Sequence, residues 1–409
     1  MRRTRRGTLV SAVLFGLVLS GCAKGGKPAS DESSGPAITD SALRTPVSVS
    51  GPWRAWTASV SAQEVAGTCA ATAHQVVCGT GSGGIVGRSR ATGAVTWTAP
   101  APGKGRSGNL VVDAADERAV TGVGRVLRTA NLRTGKAAWT HRLAEDRAYF
   151  GIHAASGTVY ALDASSRTPG DVALTAFRAS DGRTLWHHAV AADPTAGIAA
   201  FGGRVYVTDG TRVTARSAAS GAALATSPQG TECPELLSGG RYLVCTGSPL
   251  SAGDVFPRVR RLDPGTLEPL PTARDSGQLP ARGLISADGV LMLFETSAED
   301  PGAGDWNAYD LVHGRKLWSY STSTWEGALA DGRFVTFTPE YDQAKRGRLI
   351  SIDLHAGPQG TGTAAPRMSA AYSQTRGGEH PVVLAPGEGT GHVVVMARTH
   401  GSLRSLPLP

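Results

Sequence analysis

Apolar residues fall into two regimes along this chain. Residues 9–19 form an eleven-residue, largely apolar run directly behind Met1–Arg6, which carries four arginines. From Trp53 onward apolar residues come instead in short runs of strand length, each closed by a glycine-bearing turn. Arg118–Gly122, Arg125–Leu132 and Lys136–Arg142 are one such set, the last two joined by Arg133-Thr134-Gly135. Between the two regimes, residues 23 to about 50 are rich in Gly, Ser, Pro, Asp and Lys, lack aromatics and show neither strand nor helix period, which predicts a flexible tether.

The turns repeat. Thr92-Gly93, Thr134-Gly135, Asp181-Gly182, Ser220-Gly221, Pro264-Gly265, His313-Gly314 and Ala356-Gly357 are spaced by a mean of 44 residues, the length of one four-stranded propeller blade. Glycine suits a hairpin residue held at positive φ. In four copies a tryptophan follows four residues later, at Trp97, Trp139, Trp186 and Trp318. Each is expected to act as an apolar plate between neighbouring blades, with a different filling where Ala225 and Pro269 replace it.

Seven turn glycines suggest seven blades, yet the ends of the globule supply the strands of another. Pro381–Leu384, His392–Arg398 and Ser402–Leu406 make three runs without a fourth, while Trp53–Val60 precedes the first unit as an unpaired run carrying Trp56. The expected fold is an all-β, eight-bladed β-propeller closed by pairing of the N-terminal strand with the C-terminal blade; seven blades is the competing count. Closure removes exposed sheet edges, and 359 residues from Gly51 to Pro409 divide into about eight units of this length.

The N-terminal run is too short to span a bilayer, since eleven residues rise about 16 Å as a helix against a hydrocarbon core of about 30 Å. With Leu19-Ser20-Gly21-Cys22 behind it, the segment resembles a lipoprotein signal peptide, and the resemblance implies a diacylglyceryl group on Cys22. Three segments follow: 1–21 as signal peptide, 22–50 as lipidated cysteine and linker, and 51–409 as propeller. The chain is expected to be exported and held to the membrane on its extracytoplasmic side, by either the general or the twin-arginine route.

Composition narrows the partners. The formal charge is +8, but removing the four leader arginines from 41 basic residues leaves 37 against 33 acidic ones, scattered without a run of five like charges. That is no nucleic-acid footprint. Four cysteines remain besides Cys22. Cys69 and Cys78 flank a short break between strand-like runs, and Cys233 and Cys245 flank Ser238-Gly239-Gly240-Arg241, so each pair is expected to form a disulfide across a hairpin, in keeping with an oxidising compartment.

Ala130-Asn131-Leu132-Arg133-Thr134-Gly135-Lys136-Ala137-Ala138-Trp139 resembles the pyrroloquinoline-quinone-type propeller repeat, as does the stretch from Tyr309-Asp310 to Trp318. The signature aspartate survives as Asp310 and Asp353 and as Asn131, with Ser89, Arg178, Ser217 and Arg261 aligned to it elsewhere. The resemblance implies a fold that hosts enzymes and non-enzymes alike. Quinone dehydrogenases of the family carry adjacent cysteines and a calcium site; no two cysteines here are adjacent. Gly79-Thr80-Gly81-Ser82-Gly83-Gly84 matches a dinucleotide fingerprint in letters but leads into another turn. His187 and His188 would face opposite sides of a strand, and Glu299, Asp300 and Asp305 read as a solvated loop. No catalytic, cofactor or metal residue is assigned, and no cofactor is expected.

Connections between second and third strands are lengthened at Ala164–Asp171, Ser248–Arg258, Thr296–Asp305 and Pro339–Arg348, all emerging on one face, the expected binding surface. The sequence therefore points to a non-enzymatic, membrane-anchored, monomeric scaffold with envelope or extracellular protein partners and no nucleic acid. In plan it is similar to the propeller lipoproteins of outer-membrane protein assembly. The alternatives are a ligand sensor or a quinone-dependent enzyme.

Overall fold

In the computed structural model the short apolar runs are strands that pair antiparallel in groups of four. The structure describes residues 55–409 except 62–63, 65–67, 73, 102–106, 114–115, 194–196, 248–258, 272–278, 297–303, 323, 339–345, 374–381, 385–391 and 398–400. The leader, Cys22 and the linker lie outside the described residues.

The fold is an all-β propeller. Blades 1 to 3 span Cys69–Ala71 to Val95–Ala99, Ser107–Asp113 to Ala137–Arg142, and Arg147–Ala155 to Thr184–Val190. Blades 4 to 7 span Ile198–Phe201 to Ala223–Thr226, Glu235–Gly239 to Pro269–Leu270, Leu279–Ile285 to Arg315–Thr322, and Ala328–Ala330 to Arg367–Met368. The structure shows seven blades, the competing count, and corrects the eight-bladed expectation: the chain ends supply one further sheet that is not a blade continuous in sequence. The remaining four-stranded sheet is composite: Val382–Leu384, His392–Ala397 and Ser402–Pro407 from one end of the chain, and Trp56–Ser59 from the other. Trp56 lies opposite Ser405 and Ser59 opposite Ser402 in an antiparallel register.

Apolar clusters fill the seams between successive sheets. Val120 and Leu127 of blade 2 meet Ile152, Val159 and Phe177 of blade 3, and Leu174 and Trp186 of blade 3 meet Val205 and Val207 of blade 4. Inner strands are consequently covered on both faces: every residue of Val290–Thr296 is buried, whereas the outermost strand Val95–Ala99 alternates. Strands covered on both faces have no polar side to give them a period of two, which is why these strands show so little pattern in the sequence. Both disulfides are formed. Cys69 and Cys78 are cross-strand partners, while Cys233 lies just ahead of Glu235–Gly239 and reaches Cys245, whose own strand partner is Leu236.

No helix among the described residues is long and apolar enough to cross a membrane.

Candidate docking faces of the ring

Antiparallel order puts the first-to-second and third-to-fourth turns of every blade on one face of the ring, called here the turn face. The second-to-third and blade-to-blade links lie on the other, the connection face.

The turn face carries the repeat. Gly135 has φ +67°, and a Cβ there would sit 2.5 Å from the indole of Trp97, so the position needs glycine both for its backbone and for the ring laid against it. Trp97 Nε1 donates to the carbonyl of Leu132, three residues before that glycine, at 2.5 Å. The same latch joins Trp139 to Ala179, Trp186 to Ala218 and Trp318 to Leu354, each at 2.9 Å, with the ring over Gly182, Gly221 and Gly357. Trp56 completes the series across the chain ends: its Nε1 donates to Arg90 O at 2.7 Å and its ring covers Gly93. Each tryptophan thus belongs to one sheet and clasps the turn of the next.

Blade 5 departs from the pattern, and the sequence alignment there is corrected by two residues. Leu267, not Gly265, takes the left-handed position (φ +63°), and its N–H donates to Asp263 O as the glycines' do four residues back elsewhere. Asp263, not Arg261, is the signature aspartate: its Oδ1 accepts from the N–H groups of Gly265 and Thr266, as Asn131 Oδ1 does from Arg133 and Thr134. The missing tryptophans are replaced by cations and tyrosines. Arg204 donates to Gly265 O at 2.7 Å, Tyr206 to Pro264 O at 3.0 Å, and Arg261 to Leu311 O at 2.6 Å.

On the connection face, the lengthened link of blade 3 is a braced loop. Arg147, at the start of the inner strand, forks onto Asp163 and Asp171, donating from Nη1 to Asp171 Oδ2 at 2.8 Å and from Nε to Asp163 Oδ1. Burial would lower the basicity of Arg147, but the bonds and charges of the two carboxylates outweigh it and raise its pKa. Ser166 N–H donates to Asp146 O at 2.6 Å, Ser165 N–H to Asp171 O at 3.0 Å, and Ser165 Oγ accepts from the N–H groups of Arg167 and Thr168. Residues 166–170 are therefore exposed yet tied at both ends. The links at 248–258 and 339–345, and residues 297–303, lie outside the described residues, Glu299 and Asp300 among them. Asp305 sits on a strand and accepts from Ser321 Oγ at 2.5 Å.

The histidine pair does not converge. His187 Nδ1 meets Thr175 Oγ1 at 2.8 Å, and His188 Nε2 meets Ser220 O at 3.0 Å on the other side of the strand. Gly79 to Ile85 is a strand, a turn and a strand. Among the described residues no three His, Cys, Asp or Glu side chains form a group that could hold a metal ion.

His153, on the inner strand of blade 3, is 4% exposed, and burial pushes its imidazole down to about 4. A histidine depressed in the folded state stabilises it fully above the unfolded value near 6.5, and that contribution is lost as the pH falls from there toward 4. The span corresponds to roughly 3 kcal/mol. Relative to His153→Gln, the native chain is expected to lose melting temperature steeply between these pH values; parallel pH profiles for the two proteins would contradict this.

The chain belongs to the family described as outer membrane protein assembly factor BamB, whose model matches residues 52–195 and 170–402. Its repeats are of the pyrroloquinoline-quinone-type propeller family. Among solved structures it is similar to BamB from Moraxella catarrhalis, at TM-score 0.55 and 15% identity over 89% of this chain and 99% of that one. It is also similar to the quinohemoprotein alcohol dehydrogenase ADHIIG from Pseudomonas putida HK5, at TM-score 0.54 and 12% identity over 87% and 76%. A computationally designed protein, Ika8, matches at TM-score 0.58 and 14% identity over 83% and 95%. These likenesses are of fold alone. No curated protein matches the chain.

Proposed function

We propose that this protein is a membrane-anchored, extracytoplasmic propeller that works as a monomeric scaffold, binding other envelope proteins through its connection face and performing no chemistry of its own. The observation that carries this reading is the family match, which runs through nearly the whole ring and whose description is that of an assembly factor. The braced loop of blade 3 supports it, because an exposed segment with fixed backbone presents contacts at little ordering cost. Two disulfides suit an exported protein. Lipidation of Cys22 supplies the anchor, and residues 23–50 the stand-off. Quinone chemistry fits poorly with the donor set: the four cysteines of the ring are paired in disulfides, none adjacent to another.

Crosslinking in intact cells tests the reading, comparing the native chain with Cys22→Ala. The affinity handle belongs in the linker, because Pro409 O accepts a hydrogen bond from Ser351 and Leu408 packs against blade 7. Specific envelope proteins recovered only with the anchored form are expected. Absorbance of a bound quinone after reconstitution with calcium, or a ligand-dependent rise in melting temperature, would favour an enzyme or a sensor instead.

A further inference from the structure

In the seam between blades 1 and 2, Val77, Ile85 and Ala99 of blade 1 meet Leu110, Ala119 and Ala130 of blade 2. Two residues beyond Ala119, and two before Ala130, the alternation of a strand puts Thr121 and Arg128 on the same face, nearer the connection end. They are cross-strand partners. Thr121 is fully buried and Arg128 is 9% exposed. Arg128 Nη1 donates to Pro100 O, just past the outer strand of blade 1, but its Nε and the Thr121 hydroxyl are both buried without a partner. Burial lowers the pKa of this guanidinium and no carboxylate among the described residues offsets it. Arg88 and Arg147, by contrast, each hold one. A dry, uncompensated cation beside a dry hydroxyl costs stability that a bound oxyanion would restore.

The glycine-rich stretch Gly79–Gly84 closes this end of the seam. Thr80 N–H donates to Gly84 O at 2.8 Å, Gly83 N–H to Thr80 O at 2.7 Å and Gly84 N–H to Thr80 Oγ1 at 2.8 Å, which fixes the turn. A Cβ on Gly83, at φ +88°, would overlap Val123, the next residue after Thr121 on the same face of its strand. One on Gly84 would lie 3.0 Å from Ala99 O and 3.3 Å from Ala101 N, on either side of the Pro100 that Arg128 reaches. The glycines thus let the turn backbone press against the segment and the strand that carry the unpaired groups. The N–H groups of Gly81 and Ser82 have no acceptor among the described residues. Ser82 and Pro100 are exposed, so the site opens on the connection face.

We infer that this end of the seam is a binding site for a phosphate group, with donors from Arg128, Thr121 and the Gly81-Ser82 turn. The Nε and Nη2 edge of the guanidinium is the fork that pairs with two oxygens of an anion. The Thr121 hydroxyl and the turn N–H groups come from other strands and serve the remaining oxygens, as successive backbone N–H groups do in anion-binding turns. A planar carboxylate would be satisfied by the fork alone and leave them idle. The inference goes beyond the scaffold reading and does not rest on it: it adds a small anionic ligand to the connection face.

The test titrates the full chain, in detergent micelles, with inorganic phosphate against sodium chloride at matched ionic strength, by calorimetry and by melting temperature. Phosphate is expected to bind and to raise the melting temperature beyond the chloride control. Arg128→Met, which nearly keeps the volume and removes the buried charge, should weaken phosphate by roughly tenfold or more. Thr121→Val, which retains the guanidinium, should weaken it by roughly threefold. Glycerol phosphate and glycerophosphoglycerol separate the sources of the group: tighter binding of the monoester assigns a soluble phosphate ester, and tighter binding of the diester assigns a lipid headgroup. No response to phosphate beyond chloride, an equal response to acetate, or undiminished binding in both variants would each overturn the inference. Recovery of partners by crosslinking bears on the scaffold reading alone, so the two fail separately.

Discussion

Trp97→Ala is expected to destabilise the ring by about 3–5 kcal/mol, the range for removing a large buried aromatic side chain. The indole is 7% exposed and lies in the apolar seam between blades 1 and 2 with Leu110, Ala119 and Leu132. Its loss opens a cavity over Gly135 and leaves the carbonyl of Leu132 without the indole donor. Gly135→Val attacks the same latch from the other side, placing a branched residue at φ +67° with a Cβ 2.5 Å from the ring. Val95→Ala, two residues away on the same strand but half exposed, is the control and should change stability little. Denaturant titration of the three variants checks the ordering; a Trp97→Ala midpoint close to that of Val95→Ala would show that the latch does not hold the seam.

Arg88→Met should have a comparable effect through a different cause. Arg88 and Glu64 form a buried ion pair at 2.9 Å, each side chain 6% exposed, and Glu64 also accepts from Ser61 N–H and Ser61 Oγ. Arg88 further donates to Gly93 O and Ser59 O, so one guanidinium fastens the N-terminal segment both to the closing strand and to the first turn. Removing the cation strands a carboxylate in the interior, which costs about 3–5 kcal/mol. The first visible consequence should be at the closure: faster proteolysis beside Trp56–Ser59 and earlier hydrogen exchange there than in blade 3. The double variant Glu64→Leu, Arg88→Met should recover much of the loss, because the uncompensated charge is gone. If the single and double variants were equally destabilised, the penalty would come from lost packing and backbone bonds instead of from the stranded charge.

Local features of this fold were legible in the sequence, and relational ones were not. A glycine held at positive φ and a tryptophan four residues on are set within one hairpin, so Gly135–Trp139 announces itself. The closing strand was legible because three C-terminal runs lacked a fourth and Trp56 matched the repeat residue that clasps Gly93. Blade 5 misled because Pro264-Gly265 looks like the turn glycine, whereas the backbone places Leu267 in the left-handed position and spends Asp263 on the turn. Arg261 aligned with a signature aspartate and gave no sign of reaching Leu311 in the next blade. The Glu64 and Arg88 pair, separated by 24 residues, carries no motif at all. The lengthened link at Ala164–Asp171 was legible as loop length; its bracing by Arg147, from the first strand of the same blade, was not.

If a lipid-held ring recruits proteins through its connection face, trimming that face should release them. The most direct measurement is in-cell crosslinking and mass spectrometry of the anchored chain with residues 166–170 replaced by a two-residue turn, against the native chain. A folded, membrane-bound variant with unchanged disulfides that no longer recovers the envelope proteins captured by the native ring is expected. Undiminished recovery of the same proteins by the trimmed variant would contradict it.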